Sequence, residues 1–455
     1  MREYLKEKPF NLSEEQIAFV EQTIENMTLD EKIGQLFLPI NFIEEEQPLR
    51  EFVRKFQPGG ALNRPAPGVM NQMRHRIMQE ESKIPMFIPA NIESGGNGTA
   101  VEGTAFGNPL QVAATGDTKY AYELGKIAGK EGRAVGVNYA FAPIIDIDYN
   151  TLNPITNTRT FGNDPEVVYE MASAYIDGLM EDGKDMCYSV KHFPGDGVDN
   201  RDQHLHTTYN TLSVEEWENT YGKNYRRLFE KGATTVMVGH IGLPEYVKEI
   251  NPQAMKKEIL APGSLSKEIV TGLLRERMGF NGMIITDSTS MNGFYAHMSR
   301  RLAVPTAIAN GCDMFLFNYC LEEDFEFMKQ GIEDGILTME RVDEALSRII
   351  GLKTAMGLFE KQKENTLVPG EEALQILGNE EFQKLAKECA QQSVTLVKDE
   401  ENLLPITPET HKRLIVYVMG DREDFYGNQK VSSRFMQRLK DQGFEVDTFD
   451  YSVHF

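Results

Sequence analysis

Short apolar, β-branched runs recur along most of the chain, and patterns with helical spacing fall between most of them. The runs are QLFLPIN (35–41), GGALN (59–63), PMFIPAN (85–91), NYAFAPIIDI (138–147), MCYSVKHF (186–193), TTVMVGH (234–240), GMIITDS (282–288) and CDMFLFN (312–318). Continuously apolar strands alternating with helices imply a parallel sheet covered on both faces. Eight such units predict a closed (β/α)8 TIM barrel over residues 1–360. The helices carry their own start signals. Thr28 to Glu31 reads as a capping box. Asp164-Pro165 offers an N-cap and a first-turn proline ahead of Val168, Met171, Ala172, Tyr175, Ile176 and Leu179 at helical spacing.

The polar stretch KQKENTLVPGEE predicts a linker over 361–378. After it come a helix near 379–392, the runs SVTLVKD and RLIVYVMG, a helix near 430–442, and FEVDTFD. These read as the start of a second α/β domain over 379–455, with the rest of that domain missing.

Catalytic groups of such barrels sit at the C-terminal ends of the strands. Here those ends carry Asn41, Asn63 with Arg64, Asn91 with Glu93, Asp146, Lys191 with His192, His240, Asp287 and Asn318. A ring of polar groups at nearly every strand end points to a polyhydroxylated or charged ligand.

Composition narrows the field. A formal charge of −22 argues against nucleic acid or an anionic membrane surface as partner. No apolar leader and no membrane-length stretch are present, so a cytoplasmic location is expected. The cysteines Cys187, Cys312, Cys320 and Cys389 have no metal-ligand spacing, and Cys187 and Cys312, within apolar runs, read as reduced, buried and inert.

The densest chemistry lies in KHFPGDGVDNRDQHLHTT (191–208), which holds three of the eight histidines, His192, His204 and His206, interleaved with Asp196, Asp199 and Asp202. Three readings are open. Asp202, His204 and His206 could bind zinc, although the two histidines stand at an i,i+2 spacing that is uncommon in tetrahedral sites. The stretch could be a solvated loop, its glycines giving it mobility. Or Asp202 and His204 form a proton-transfer pair, the carboxylate fixing the imidazole tautomer and leaving the other ring nitrogen aimed at substrate. The other notable residue, Asp287, ends the apolar strand of GMIITDSTSM, where packing alone explains an aspartate poorly.

Together, KHFPGDGVDNRDQH, NPITNTRTFGNDP, GMIITDSTSM and AIANGCDMFLF resemble family 3 glycoside hydrolases, and within them the bacterial β-N-acetylhexosaminidase branch. The resemblance runs over roughly residues 28–360, and the tail resembles the start of that family's α/β-sandwich domain. It implies Asp287 as nucleophile, His204 as general acid/base and Asp202 as its orienting partner. It implies Lys191, His192 and Arg159 as groups that hold sugar hydroxyls, and a structural or supporting role for Asp146. No metal and no cofactor are implied, and the partner is a small oligosaccharide.

Four positions depart from the family pattern. In NIESGGNGTA, Asn91 stands where aspartate is usual and Asn97 where arginine is usual, while Glu93, Gly95 and Gly96 are kept. Asn91 and Glu93 are therefore also candidate sugar-binding residues. In the loop, Asp196 replaces His or Leu, and Gln203 replaces Ser or Thr between the dyad residues. The function implied is retaining hydrolysis of terminal β-linked N-acetylglucosamine from muropeptide or chitin-type fragments. Phosphorolysis of the same bond, a plain β-glucosidase and an inactive carbohydrate-binding barrel are the competing readings.

Overall fold

The structure, a computed structural model, describes residues 2–421 and 431–449. Residues 422–430 and 450–455, assigned above to the second domain, lie outside the described residues.

Each of the eight apolar runs contributes a strand, and the strands close into a parallel ring. In chain order they are β1 (Phe37–Leu38, continued by Ile40–Asn41), β2 (Leu62–Asn63), β3 (Pro89–Ala90) and β4 (Tyr139–Ala140). β5 (Cys187–Phe193), β6 (Thr235–Val238), β7 (Met283–Thr286) and β8 (Phe315–Leu316) complete the set. Strands β3 to β7 form one continuous sheet in sequence order, and β1 pairs with β2 on one side and β8 on the other. Single bridges, Gly60 to Phe87 and Ile285 to Met314, link the remaining neighbours and close the barrel.

At the mouth of the barrel Asn41 Nδ2 donates to Asn63 Oδ1 at 2.8 Å and to the Ile43 carbonyl at 3.1 Å. The helix signals correspond to real caps: Thr28 and Glu31 form a reciprocal capping box, and Asp164 caps the helix Pro165–Leu179. The six apolar positions expected to face the core in that helix are all buried.

The compact-unit boundary falls at Val394/Thr395. Segment 361–378 is thus strapped to the barrel rather than free. Gln72 Nε2 and Arg76 Nη2 donate to the carbonyls of Gly370 and Pro369, and the Gly378 N–H donates to Glu131. The helix Glu380–Gln392 also belongs to the first unit, packing on Pro109–Ala113 and Thr118–Ala134. Apolar anchors explain the shift of the boundary from the composition-based one: Val368 and Phe382 are buried. In the second unit, Arg413–Val416 pairs in parallel with Glu445–Thr448, and the helix Val431–Asp441 lies between them in sequence. That is one β-α-β turn of an α/β fold. SVTLVKD forms no strand. No helix among the described residues is long and apolar enough to cross a membrane.

Phe37 of β1 is fully buried; its ring meets Phe315 of β8 edge-on at 5.6 Å and stacks on Phe325 at 6.1 Å. Phe37→Ala is expected to cost about 3–5 kcal/mol in urea unfolding, and Phe37→Leu clearly less.

Candidate active site

β5 is the longest strand of the barrel, and it delivers two neighbouring side chains to two clusters. Lys191 Nζ reaches Glu93 Oε1 at 2.5 Å, and Arg159 clamps the same carboxylate through two bonds of 2.9 and 2.7 Å. Burial alone would raise the Glu93 pKa, but Arg159 and Lys191 hold it well below the usual carboxylate range. Burial in turn lowers the pKa of Lys191 despite the Glu93 charge. Glu93 uses both oxygens on these cations and orients their remaining N–H groups. The Asn91 amide, at the end of β3, has no side-chain partner among the described residues and is only partly buried.

Glycine is required beside this cluster. Gly95 adopts φ +129°, and a Cβ there would lie 2.1 Å from the Thr104 carbonyl oxygen. A Cβ on Gly96 would lie 1.9 Å from the carboxylate of Glu131, which accepts from the N–H and hydroxyl of Thr104. Asn97 is exposed.

The second cluster centres on Asp146. Its Oδ2 accepts from His192 Nδ1 at 2.7 Å, while Oδ1 accepts the backbone N–H groups of His192 and Asp196. The bond orients the His192 imidazole and turns Nε2 toward Asp287, 3.8 Å away. Asp287 follows β7. Burial pushes its pKa up, but His192, His240, the Ser288 N–H and Lys191 together bring it below the ordinary value. The carboxylate is therefore ionised at neutral pH, the state a nucleophile needs.

On the loop after β5, Asp202 Oδ1 accepts from His204 Nδ1 at 2.6 Å and from the His204 N–H at 2.8 Å. The imidazole stays half-exposed, and its Nε2 has no partner among the described residues. The loop is docked on the segment that follows Asp287: the His204 carbonyl accepts from the Asn292 N–H at 2.9 Å, and Thr207 Oγ1 donates to the Gly293 carbonyl at 3.1 Å. A Cβ on Gly293 would lie 2.4 Å from the Gln203 carbonyl oxygen. His204 is thus carried onto the segment that follows Asp287.

Other polar groups of the barrel mouth serve the protein itself. His240 Nε2 donates to the Ser288 carbonyl and Nδ1 accepts from the Ser264 hydroxyl, both at 2.8 Å, and burial lowers its pKa. Asn318 binds Asp324. Asp199 holds Arg201 and the Tyr209 N–H. Among the described residues no group of three or more His, Cys, Asp or Glu side chains is arranged to hold a metal ion.

Residues 28–352 match the family model described as the glycosyl hydrolase family 3 N-terminal domain. The chain belongs to glycosyl hydrolase family 3. A relative from Cellulomonas fimi, named β-N-acetylglucosaminidase/β-glucosidase, is 41% identical over 97% of this chain and 78% of its own length. β-Hexosaminidase A of Pseudoalteromonas piscicida is 26% identical over 82% of this chain and 64% of its own length. Among solved structures, β-glucoside phosphorylase BglX bound to 2FGlc superposes with a TM-score of 0.93 and 42% identity, covering 99% of this chain and 80% of that one. A family 3 β-N-acetylglucosaminidase from Paenibacillus sp. str. FPU-7 shares the fold at a TM-score of 0.80 and 23% identity, with 93% and 79% covered.

Sequence reasoning did not find the partners of the two unusual loop residues. Asp196 accepts from Gly197 N–H, Asn153 Nδ2 and Gln203 Nε2, and Gln203 Oε1 accepts from the His240 N–H. Two departures close together in one loop were the available signal that they compensate each other.

Glu93→Gln removes the counter-charge of two cations, Arg159 and Lys191. It is expected to destabilise the fold by about 3 kcal/mol and to raise KM roughly tenfold, the loss of about one charge-assisted hydrogen bond. Thermal unfolding and steady-state kinetics check the two effects separately.

Proposed function

We propose that this chain is a retaining exo-glycosidase that releases terminal β-linked N-acetylglucosamine or glucose, with Asp287 as nucleophile and the Asp202–His204 pair as acid/base. The observation that carries the reading is the 2.6 Å dyad on a loop docked against the strand end that bears Asp287. In the first step the Asp287 carboxylate attacks the anomeric carbon. The bond to the leaving oxygen breaks as His204 Nε2–H gives that oxygen its proton, and a glycosyl-enzyme remains. In the second step His204, now neutral, takes a proton from the acceptor, whose oxygen displaces Asp287 and restores the original anomeric configuration. Lys191, Arg159 and Asn91 supply donors for the sugar hydroxyls. The amide at Asn91 can donate as well as accept, but it cannot make the charge-assisted bonds of a carboxylate. The pairing of both sugars in the name of the Cellulomonas fimi relative supports a pocket that takes either.

A second reading concerns the acceptor. An imidazole is neutral when it acts as base, whereas a carboxylate in its place would repel an anion. Phosphate could therefore replace water, and the solved phosphorylase at 42% identity favours that outcome. The product would then be a sugar 1-phosphate.

Chromogenic β-N-acetylglucosaminide and β-glucoside substrates, with and without inorganic phosphate, test both readings. Asp287→Ala is expected to lower turnover by at least about a thousandfold, the scale on which removal of a nucleophile acts. Full activity in that variant would refute the nucleophile assignment, and binding without turnover by the wild type would refute enzymatic function. Free sugar in phosphate buffer with no sugar 1-phosphate would rule out the phosphate acceptor.

A further inference from the structure

The loop that carries the dyad is anchored along its length, although its composition favours mobility. Its two glycines are close-approach positions rather than hinges. Gly195 has φ +118°, and a Cβ there would lie 2.2 Å from the Tyr221 ring; Gly197 has φ +109°, and its Cβ would lie 1.8 Å from the Ile147 carbonyl oxygen. The chain entering the loop rests on buried aromatic groups. Trp217 Nε1 donates to the Pro194 carbonyl at 2.8 Å, and the Tyr221 hydroxyl donates to the Asp196 carbonyl at 2.6 Å. At the far end Thr208–Tyr209 pairs with Ile241–Gly242, just beyond β6.

Between these anchors, one side chain crosses the loop. Gln203 is 1% exposed, next in sequence to both members of the dyad. Its Nε2 donates to Asp196 Oδ2 at 3.2 Å and its Oε1 accepts the His240 N–H at 3.1 Å. Asp196 is itself 2% exposed, and its other oxygen accepts from Asn153 Nδ2 at 2.9 Å and the Gly197 N–H at 2.7 Å. With its middle residue tied to both the loop's start and the end of β6, the Asp202-Gln203-His204 tripeptide has little freedom to lift away.

We propose that Gln203, clasped between Asp196 and the His240 backbone, is a positioning residue that holds the Asp202–His204 pair in place over the Asp287 strand end before any sugar binds. The inference rests on the acid/base reading of His204 given above. An acid matters most where the leaving group is a poor one, so the clasp has a kinetic mark that a merely structural contact lacks.

The test compares kcat/KM for Gln203→Ala, Gln203→Glu, Asp196→Ala, the Gln203→Ala/Asp196→Ala double variant and His204→Ala on aryl and alkyl β-glycosides of graded leaving-group acidity. kcat/KM reports the first, bond-breaking step whatever the acceptor. Gln203→Ala is expected to lose about ten- to a hundredfold on alkyl glycosides, the scale of a misplaced catalytic group, and less than about threefold on a 2,4-dinitrophenyl glycoside, which needs no acid. Gln203→Glu keeps the volume and the bond to His240 but sets a second carboxylate against Asp196, so it is expected to lose at least as much. The double variant is expected to be no worse than its worse single parent, because both substitutions open the same clasp. Activity on the dinitrophenyl substrate certifies folded enzyme in every case. If His204→Ala loses both substrates equally, the acid/base reading itself fails. If His204→Ala shows the leaving-group dependence and the Gln203 variants do not, the clasp is overturned while that reading stands. Additive losses in the double variant would also overturn it.

Discussion

Asp146 is the group on which the rest of the site depends. It lies at the C-terminal end of the run that forms β4, 1% exposed, and receives three donors: the ring Nδ1–H and backbone N–H of His192 and the backbone N–H of Asp196. One of these sets the imidazole that faces Asp287. Another sets the turn from which the dyad loop departs. Without the carboxylate, three buried donors would lose their acceptor, each at a cost of about 1–3 kcal/mol. Both halves of the site, the Asp287 side and the Asp202–His204 side, therefore share one buried carboxylate.

At the site, Glu93 and Asp287 each have cationic neighbours. The chain is strongly acidic overall, yet Glu93 sits between Arg159 and Lys191, and Asp287 lies near His192 and Lys191. Strand order makes this possible. β3 brings Glu93, β5 brings Lys191 and His192, and β7 brings Asp287, while Arg159 arrives on the loop after β4. A parallel barrel places all these ends on one face, so residues far apart in sequence meet without any long-range motif.

Much of the fold was legible because strand polarity changes abruptly at the mouth. Runs such as GMIITDS and MCYSVKHF stay apolar while buried on both faces and turn polar where the barrel opens. The capping box at Thr28 and the N-cap at Asp164 depend only on contacts within one turn, and they were read correctly for that reason. The strap over 361–378 was not legible, since its bonds run through backbone carbonyls of Pro369 and Gly370 to side chains some three hundred positions earlier. The ring of polar strand ends was read too generously. Asn41, Asn63, His240 and Asn318 bond to the protein, and composition cannot separate such groups from those that face a ligand. Loop glycines misled in the same way: Gly195 and Gly197 look like freedom in a sequence and are close approaches in the fold.

Gln203 and Asp196 show why a pair of departures can be more informative than either alone. A buried site between a carboxylate oxygen and a backbone N–H needs one donor and one acceptor on the same side chain, with the reach to span both. An amide provides that; a carboxylate cannot donate when ionised. Asp196 would not be an easy partner by itself. Burial and the nearby Asp146 charge push its pKa up to about 6, against an ordinary value of 3.8. The folded state thus holds a proton that the unfolded chain releases, and ionising Asp196 costs stability as pH rises from about 4 through 6. Above that window the charge persists only because three N–H donors face it, and the Gln203 amide is one of them. The amide meets part of the cost of a second buried anion, and that anion ties the loop to the strand end that bears His240.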